Sequence, residues 1–260
     1  MKTLRACWYE FKLAILRTVR YKISFVSDIV VFCVIFFVIL FTNAGYSLSL
    51  AYNSSESQAK VILLIGYVFW LFSSTALGDS TNVISNEATA GTLETKLLSS
   101  VPVPALLFAR LLSGLLYSVV SMACVLIIAG IFGWLKSVEP IRLACALLIY
   151  LPSIFGMFGI GLILGGLSLN HKRVGQLTFI IQTGMLLLTD VISANFPISN
   201  YIVPYATGMD IARNFYMHSA IEPVRIVLYF AINAVWFVIG YTAFSKLLSA
   251  TKRRGSLANY

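Results

Sequence analysis

Long apolar runs separated by short polar segments extend through the whole chain of 260 residues. A helix needs about 20 apolar residues to cross the roughly 30 Å hydrocarbon core of a bilayer. Six runs approach or exceed that length, so the pattern predicts six transmembrane helices. The runs cover residues 24–43, 61–84, 105–134, 143–169, 174–194 and 224–248.

The third and fourth runs are longer than one membrane thickness, and we expect tilting, a kink or a protruding end there. In the fourth run, Pro152 and several glycines favour a kink and close contacts between helices. These glycines are Gly156, Gly159, Gly161, Gly165 and Gly166.

The start of the chain repeats apolar side chains at helical spacing and carries its cations mostly on other faces. This pattern predicts an amphipathic helix in the headgroup plane over residues 1–22, an elbow that leads into the first span. The alternative is a positively charged topology anchor with no further role. A secretory signal peptide is disfavoured because the basic and apolar regions are both too long. The apolar positions are Leu4, Trp8, Phe11, Ile15 and Val19.

The composition is that of a membrane protein. Hydrophobic residues make up 59% of the chain, the mean hydropathy is +0.88 and charged residues make up only 11%, whereas soluble domains carry about a quarter. We therefore expect one integral membrane domain over residues 1–260. The net charge of +9 comes mostly from Lys and Arg in alternate loops, which places both termini in the cytoplasm. The expected surroundings are the cell membrane and its lipid bilayer, without nucleic acid.

Candidate chemistry within the chain is sparse. No Gly-x-x-x-x-Gly-Lys-Ser/Thr loop occurs, so we expect no ATPase site in this chain. Neither histidine has a nucleophile or carboxylate at a useful helical spacing, and we predict no catalytic and no metal-binding residue. The cysteines show no paired spacing and are interpreted as small buried hydrophobes. They are Cys7, Cys33, Cys124 and Cys145.

A polar segment follows the second span and ends at prolines before the third. It predicts a short helix over residues 85–98, with Ser85 or Asn86 as its N-cap and Pro102 preventing its continuation. Such a helix would offer a partner one charged and one apolar contact, from Glu94, Leu97 and Leu98.

This segment resembles the signature of ABC-2 type permeases, the membrane subunits of ABC exporters. In that family a glutamate, a Gly-Thr-Leu-Glu core, a leucine pair and a Ser-Pro-Val-like element follow the second span. The last element is here Ser100-Val101-Pro102-Val103, one residue looser than usual. The resemblance implies that residues 85–98 form the intracellular coupling helix that fits a groove on the ATP-binding subunit. The matching residues are Glu87, Gly91, Thr92, Leu93, Glu94, Leu97 and Leu98.

The segment before the last run is similar to the same family. There, short re-entrant helices on the outer side end in a proline, a small or hydroxyl residue, an acidic residue and an arginine. The corresponding segment covers residues 196–221, although the family's usual Leu-Pro step is not evident. The matching residues are Pro197, Pro204, Asp210 and Arg213.

The resemblance covers the whole chain and implies an all-α integral membrane protein. It implies six spans, an amphipathic elbow helix, a cytoplasmic coupling helix and an outer re-entrant hairpin. The chain would be a permease subunit without its own ATPase activity. Two copies of an ABC ATP-binding subunit would bind ATP and magnesium, and a second permease, identical or related, would complete the transporter. Closure of the ATP-binding pair would push the coupling helices and give alternating access.

Aromatic residues in the first two spans predict an apolar lining for the translocation path, although each could equally face lipid or a neighbouring helix. An apolar lining suits export of a hydrophobic or amphipathic drug, peptide or lipid. The alternatives are a permease for a polysaccharide or lipid-linked glycan, and a membrane scaffold or sensor that regulates an ATPase without moving cargo. An ion-driven transporter is disfavoured because no ionisable site lies clearly at a span centre. The aromatic residues are Phe25, Phe32, Phe36, Phe37, Tyr67, Phe69, Trp70 and Phe72.

Four ionisable residues lie near the ends of the predicted spans, namely Asp28, Asp79, Arg110 and Asp190. Charge within hydrocarbon is costly, and the simpler interpretation places all four at interfaces where their side chains reach water. The alternative pairs Asp79 with Arg110 across the polar segment, which would tie two spans together.

Overall fold

The computed structural model describes residues 2–42, 44–89, 91–93, 96, 99, 101–133, 138–169, 174–192 and 198–254. In this part of the chain the regular structure is entirely helical, as the sequence predicted. The helices are α1 (Lys2–Arg20), α2 (Lys22–Phe41), α3 (Ala44–Ala51), α4 (Glu56–Thr89), α5 (Val103–Ile131), α6 (Pro140–Leu148), α7 (Leu151–Ser168), α8 (Val174–Leu188), α9 (Ser199–Ile202), α10 (Ala206–Tyr216) and α11 (Pro223–Arg254).

Five stretches among the described residues are long and apolar enough to cross a membrane. They are α2, α4, α5, the pair of α6 and α7, and α11. The sequence predicted a further span over residues 174–194, and the corresponding helix α8 is apolar but has only 15 residues. The chain is thus a multi-pass, all-helical membrane protein.

Helix α4 occupies the centre of the structure. Its membrane stretch is almost wholly buried, whereas those of α2 and α11 are mostly exposed. It packs against α3, α5, α7 and α8, and α7 in turn lies between α4 and α11. With 34 residues, α4 is about 50 Å long, so it extends well beyond the hydrocarbon core of a bilayer.

Glycines allow α7 to approach its two neighbours closely, as the sequence predicted. A Cβ atom on Gly161 would lie 2.8 Å from Ser80 Cβ of α4, and one on Gly165 would lie 2.6 Å from Ile84 Cδ1. On the other side of α7, a Cβ atom on Gly240 of α11 would overlap the backbone of Gly159. The residue numbers rise on both helices from the contact of Gly161 with Ser80 to that of Gly165 with Ile84. Helices α4 and α7 therefore run in the same direction.

Helices α2, α5 and α8 run against α4. Phe32 of α2 packs on Trp70 and Phe36 on Tyr67, so the residue numbers fall on α4 as they rise on α2. Helices α5 and α8 show the same reversed order, and α11 follows the direction of α7. The contacts that give these directions are Gly114 with Asp79, Ser118 with Thr75, Gly175 with Asn82, Gln182 with Ser74, Gly156 with Asn233 and Gly166 with Leu247.

The predicted kink near Pro152 is a break between two helices. Helix α6 ends at Leu148 and α7 begins at Leu151. Between them the Ile149 and Tyr150 amides donate to carbonyls three residues back, at 3.3 and 3.1 Å. Proline has no amide hydrogen to continue an α-helical ladder and its ring crowds the preceding turn, which explains the break at this position.

Helix α1 packs along the start of α5, where Cys7 Sγ donates to the Ala105 carbonyl at 3.6 Å. Its apolar Leu4, Trp8 and Val19 side chains are exposed, so this face is available to a bilayer interface. The observed helix ends at Arg20, and α2 begins at Lys22, at the end of the predicted elbow.

Candidate functional site

Two acidic and two basic side chains meet beside the end of α4. The Glu87 carboxylate oxygen Oε1 lies 2.8 Å from Arg110 Nη1 and 2.6 Å from Lys96 Nζ. Glu10 Oε1 lies 2.6 Å from the same Lys96 Nζ and 3.6 Å from Arg110 Nη1. We call Glu10, Glu87, Lys96 and Arg110 the ion-pair cluster. It joins α1, α4, α5 and the segment between α4 and α5, and its formal charges cancel.

Burial makes the cluster sensitive to the loss of any member. Glu87 is 5% exposed, and the other three side chains are largely covered. When one partner of a buried ion pair is removed, the other is left as an uncompensated charge, which costs far more than losing an exposed pair. The cluster therefore fixes the position of Lys96 and its segment relative to three helices.

The cluster corrects the pairing proposed for Arg110. The sequence suggested Asp79, but the ion pairs that the structure gives Arg110 are to Glu87 and Glu10. The reason is that α4 stays helical to Thr89, which carries Glu87 about 12 Å beyond Asp79 and level with the start of α5. Asp79 instead packs against Gly114 of α5, where a Cβ atom would overlap its carboxylate.

The end of α4 forms a left-handed cap at Gly91. Gly91 has a φ of +68°, and the Thr92 amide donates to the Glu87 carbonyl at 3.0 Å. This bond spans six residues and is typical of a Schellman motif, in which glycine supplies the left-handed residue. The Gly-Thr step therefore ends α4 and turns the chain toward Leu93, which is buried.

The observed boundaries differ from the predicted coupling helix over residues 85–98. Ser85 and Asn86 continue α4 and do not cap a new helix, because no helix-breaking residue precedes Gly91. Of the predicted coupling residues, the structure places Glu87, Gly91, Thr92 and Leu93 together at this turn. The other three, Glu94, Leu97 and Leu98, lie outside the described residues.

Glu10 is the member of the cluster that the sequence interpretation missed. It is the only acidic residue among the first 27 positions, and a lone acid on a basic helix could have marked it. Its partners lie 86 or more positions away along the chain, so sequence spacing gave no direct indication of the contact.

A buried arginine lies at the opposite end of α4. Arg213 of α10 is fully buried and donates to the carbonyls of Ile62 at 3.1 Å, Asp190 at 2.5 Å and Val191 at 3.1 Å. Its guanidinium also lies over the ring of Tyr52, 5.8 Å from the centroid. Arg213 thereby joins α10 to the start of α4 and to the turn that follows α8.

Gly66 provides the space for this arginine. A Cβ atom at that position would overlap Nη2 of Arg213 and would lie 3.2 Å from Met209 Sδ. The surface of α4 is thus recessed where the guanidinium enters, and this recess was not evident from the sequence.

Asp210 contacts different partners from Arg213, although both belong to α10. It accepts a hydrogen bond from the Tyr52 hydroxyl at 2.9 Å and forms an ion pair with Arg225 of α11. Burial raises the pKa of the Tyr52 hydroxyl to about 12. The Pro204 carbonyl accepts a hydrogen bond from Asn233 Nδ2 at 3.0 Å. Pro197, also predicted here, lies outside the described residues.

A cavity of about 950 Å³ lies between α1, α2, α4, α5 and α8. Of the aromatic residues predicted to line a path, Phe25, Phe32 and Trp70 line this cavity, whereas Phe36 and Tyr67 are buried in the core. Many lining residues are polar or charged, so the lining is more polar than predicted. These residues are Arg17, Thr18, Tyr21, Ser24, Asp28, Ser74, Thr75, Asp79, Asn82, Asn86, Arg110, Ser113, Tyr117, Gln182 and Thr183.

Within the described part of the chain, no group of three or more His, Cys, Asp or Glu side chains could hold a metal ion. At the two ends of α4 the structure shows ion pairs around Glu87 and hydrogen bonds from Arg213.

A model of the ABC-2 type transporter family matches residues 2–216, a range that contains α1 to α10 and so both the ion-pair cluster and Arg213. Comparison with curated proteins gives no match.

Proposed function

This chain belongs to the ABC-2 type transporter family, and we propose that it is the permease subunit of an ABC exporter. In this proposal it moves a hydrophobic or amphipathic drug, peptide or lipid across the cell membrane. A separate ATP-binding subunit, present in two copies, binds ATP and magnesium and supplies the energy. A second permease, identical or related, completes the transporter.

We further propose six spans, with α8 as the fifth. The alternating directions of α2, α4, α5, α7, α8 and α11 support this count, because each successive member runs against the one before it. Both termini would then lie in the cytoplasm, together with the ion-pair cluster. Helices α9 and α10 would form the re-entrant segment on the outer side, anchored by Arg213. The concentration of Lys and Arg in α1 and at the end of α11 agrees with this orientation.

The ion-pair cluster is the observation that carries the proposed coupling role. A docked subunit can drive a permease only if the surface that it pushes is rigidly connected to the spans. The segment between α4 and α5 is the surface that would dock on the ATP-binding subunit, and we call it the docking segment. Lys96 lies in it and contacts both acids of the cluster. Arg110 joins the same acids to α5. A push on this segment would therefore reach α1, α4 and α5 together.

The docking site is tested by charge reversal at Glu94, a predicted contact of the coupling segment. The chain is purified with its candidate ATP-binding subunit and reconstituted in vesicles, and complex formation and ATP turnover are compared for the native chain and Glu94→Lys. We expect Glu94→Lys to lose assembly or turnover. The matched control is Glu56→Lys, since Glu56 is an exposed carboxylate at the other end of α4. Native behaviour of Glu94→Lys, or an equal loss in both variants, would contradict docking through this segment.

Transport itself needs a separate measurement, because a scaffold or sensor could also bind an ATPase. Vesicles that contain the complex are given a fluorescent amphipathic compound, and its ATP-dependent movement across the bilayer is followed. We expect the compound to stimulate ATP turnover and to cross. Regulation of turnover without movement of any compound tested would favour the scaffold or sensor.

A further inference from the structure

The cavity beside α4 contains two acidic side chains without a bonded partner. Asp28 of α2 and Asp79 of α4 both line it, and the structure gives neither of them an ion pair or hydrogen bond among the described residues. Arg110, which lines the same cavity, attracts the Asp79 carboxylate, and Asp28 repels it. Acidic groups in membrane-spanning helices are costly and are retained mainly where they interact with an ion, a ligand or a polar cavity.

Two basic residues, Arg17 and Arg110, face the cavity together with these two acids, but one of them is engaged by acids outside the lining. The charge of Arg110 is already matched within the ion-pair cluster by Glu10 and Glu87. Arg17, near the end of α1, is the other cation in the lining. With the cluster neutral, the remaining charges are two carboxylates and one guanidinium, so the cavity has an excess of one negative charge.

A buried hydroxyl in the same wall also has an unused hydrogen-bonding capacity. Ser74 lies five residues before Asp79 on α4 and lines the cavity. It is 7% exposed, and its Oγ atom has no hydrogen-bond partner among the described residues. Buried polar atoms are nearly always bonded in folded proteins, to protein or to water, so this hydroxyl offers a hydrogen bond to a polar group or water molecule that enters the cavity.

Aromatic rings form the apolar part of the lining. Phe32 and Trp70 pack edge to face with centroids 6.3 Å apart, and Phe25 packs in the same way on Tyr117 at 5.1 Å. Phe179 of α8 lines the cavity opposite α5. The faces of aromatic rings attract cations and also cover apolar surface, so this wall suits a ligand that is both positively charged and hydrophobic.

The volume fits such a ligand. Sites for drug-sized molecules have volumes of roughly 300 to 1,000 Å³, and this cavity, at about 950 Å³, lies at the upper end. Gly114 adds to the fit because the absence of a side chain there leaves room for the Asp79 carboxylate between α4 and α5.

We propose that this cavity binds a lipophilic organic monocation, with its charged centre between Asp28 and Asp79 and its apolar groups against Phe25, Phe32 and Trp70. As a statement about cargo, the inference rests on the proposed permease function and narrows its substrate class to hydrophobic cations. Binding of the cation follows from this one chain and needs neither ATP nor a partner subunit.

The test uses two probes of the same shape and opposite charge, tetraphenylphosphonium and tetraphenylborate. The full chain is placed in lipid nanodiscs without the ATP-binding subunit, and binding is measured by equilibrium dialysis against empty nanodiscs. We expect saturable binding of the phosphonium cation and none of the borate anion above the lipid background. Equal or stronger binding of the borate would show that Arg17 and Arg110 dominate the cavity and would overturn the proposal.

Charge-neutralising variants identify the site. Asp79→Asn keeps the size of the side chain and is expected to weaken phosphonium binding about tenfold, the effect of losing one ionic contact of moderate strength. Asp28→Asn should give a similar loss, and because Asp28 is exposed in α2, this variant keeps the test decisive if Asp79→Asn does not fold. Glu56→Gln, far from the cavity, is the matched control and should bind as the native chain does. Native affinity in both aspartate variants would overturn the proposal.

The binding test and the docking test fail independently. Loss of docking in Glu94→Lys together with no phosphonium binding in the native chain would leave a permease for another substrate class. Phosphonium binding without assembly on an ATP-binding subunit would leave a cation site in a chain with a different role.

Discussion

Glu87 Oε1 lies 2.8 Å from Arg110 Nη1, although 23 positions and a reversal of chain direction separate the two residues. The contact joins the end of α4 to the start of α5, which run in opposite directions. Because Glu87 also binds Lys96, the segment that connects the two helices is attached to them at a point between its ends. Its position is therefore coupled to both spans.

Replacing Glu87 with glutamine should destabilise this end of the protein. Among the described residues, the variant leaves Glu10 as the one carboxylate paired with Arg110 and Lys96, and breaking a buried ion pair in this way costs about 3 kcal/mol. Thermal unfolding of the purified chain in detergent measures the loss. Glu56→Gln is the control, because Glu56 pairs with Lys60 on an exposed surface and should unfold as the native chain does. Equal stability of the two variants would contradict a structural role for the cluster.

Replacing Gly91 with alanine should strain the turn after α4. No atom lies within 4 Å of the added Cβ, so the effect comes only from the left-handed backbone at a φ of +68°, which costs a residue with a side chain about 1 kcal/mol. We expect lower ATP turnover in the reconstituted complex, since the docking segment would be redirected. Gly45→Ala is the control because its surroundings are equally open and its φ is not positive. Native turnover in Gly91→Ala would show that the geometry of this turn does not matter for coupling.

Replacing Arg213 with methionine should destabilise the opposite end of α4. Methionine fills similar space but leaves three carbonyls without the donor that they have in the native structure, and hydrogen bonds to a charged group contribute about 1.5 to 3 kcal/mol each. The three bonds together exceed the net effect, because methionine also removes the desolvation cost of a buried guanidinium. We therefore expect a net loss of about 3 kcal/mol in thermal unfolding. The stability of Arg213→Lys should lie between that of the native chain and that of Arg213→Met, since an ammonium group cannot reproduce the planar fork of donors. A methionine variant as stable as the native chain would mean that the arginine contributes no net stability.

Alkaline titration should distinguish Tyr52 from an exposed tyrosine. Burial keeps its hydroxyl protonated up to a pKa of about 12, while an unfolded tyrosine ionises near pH 10. The stability that this residue contributes is therefore fully present below about pH 10 and is lost as the pH rises toward 12. The difference in tyrosinate absorbance between the native chain and Tyr52→Phe measures the titration directly. A difference that appears near pH 10 would contradict the buried contact with Asp210.

Five of the six spans that the hydrophobic pattern predicted correspond to helices long and apolar enough to cross a membrane, but the pattern did not locate the ends of the helices. It predicted residues 61–84 for the second span, whereas α4 runs from Glu56 to Thr89. Hydrophobicity marks the part of a helix that lies in lipid, and polar residues continue the helix until a residue such as Gly91 ends it. In the fifth run the helix is shorter than the apolar run, because α8 ends at Leu188 and the run continues to residue 194. Beyond the end of α8, the carbonyls of Asp190 and Val191 accept hydrogen bonds from Arg213.

The site could be predicted only as far as local sequence determines it. The turn at Gly91 was missed, because the sequence interpretation placed Gly91 inside a helix over residues 85–98. The left-handed cap at Gly91 is nevertheless a property of a few adjacent residues, and the Gly-Thr step could have indicated it. The partners of Arg110 depend on how three helices pack, and neither Glu10 nor Glu87 lies near it in sequence. Asp79 was the plausible partner by hydrophobic position alone, and the length of α4 decided in favour of Glu87.

Two glycine substitutions with opposite expected signs test the central packing. Alanine is favoured over glycine within a helix by about 1 kcal/mol, so Gly184→Ala, with no atom within 4 Å of its added Cβ, should raise the stability of the chain. Gly240→Ala gains the same preference, but its Cβ would overlap the backbone of Gly159. Backbone cannot move aside as a side-chain tip does, and overpacking costs about 1 to 3 kcal/mol. The packing term therefore equals or exceeds the helix preference, and Gly240→Ala should lower the thermal stability. If both variants were stabilised equally, the close contact of α7 and α11 would be absent in solution. The packing of α7 between α4 and α11 would then not hold as the structure shows it.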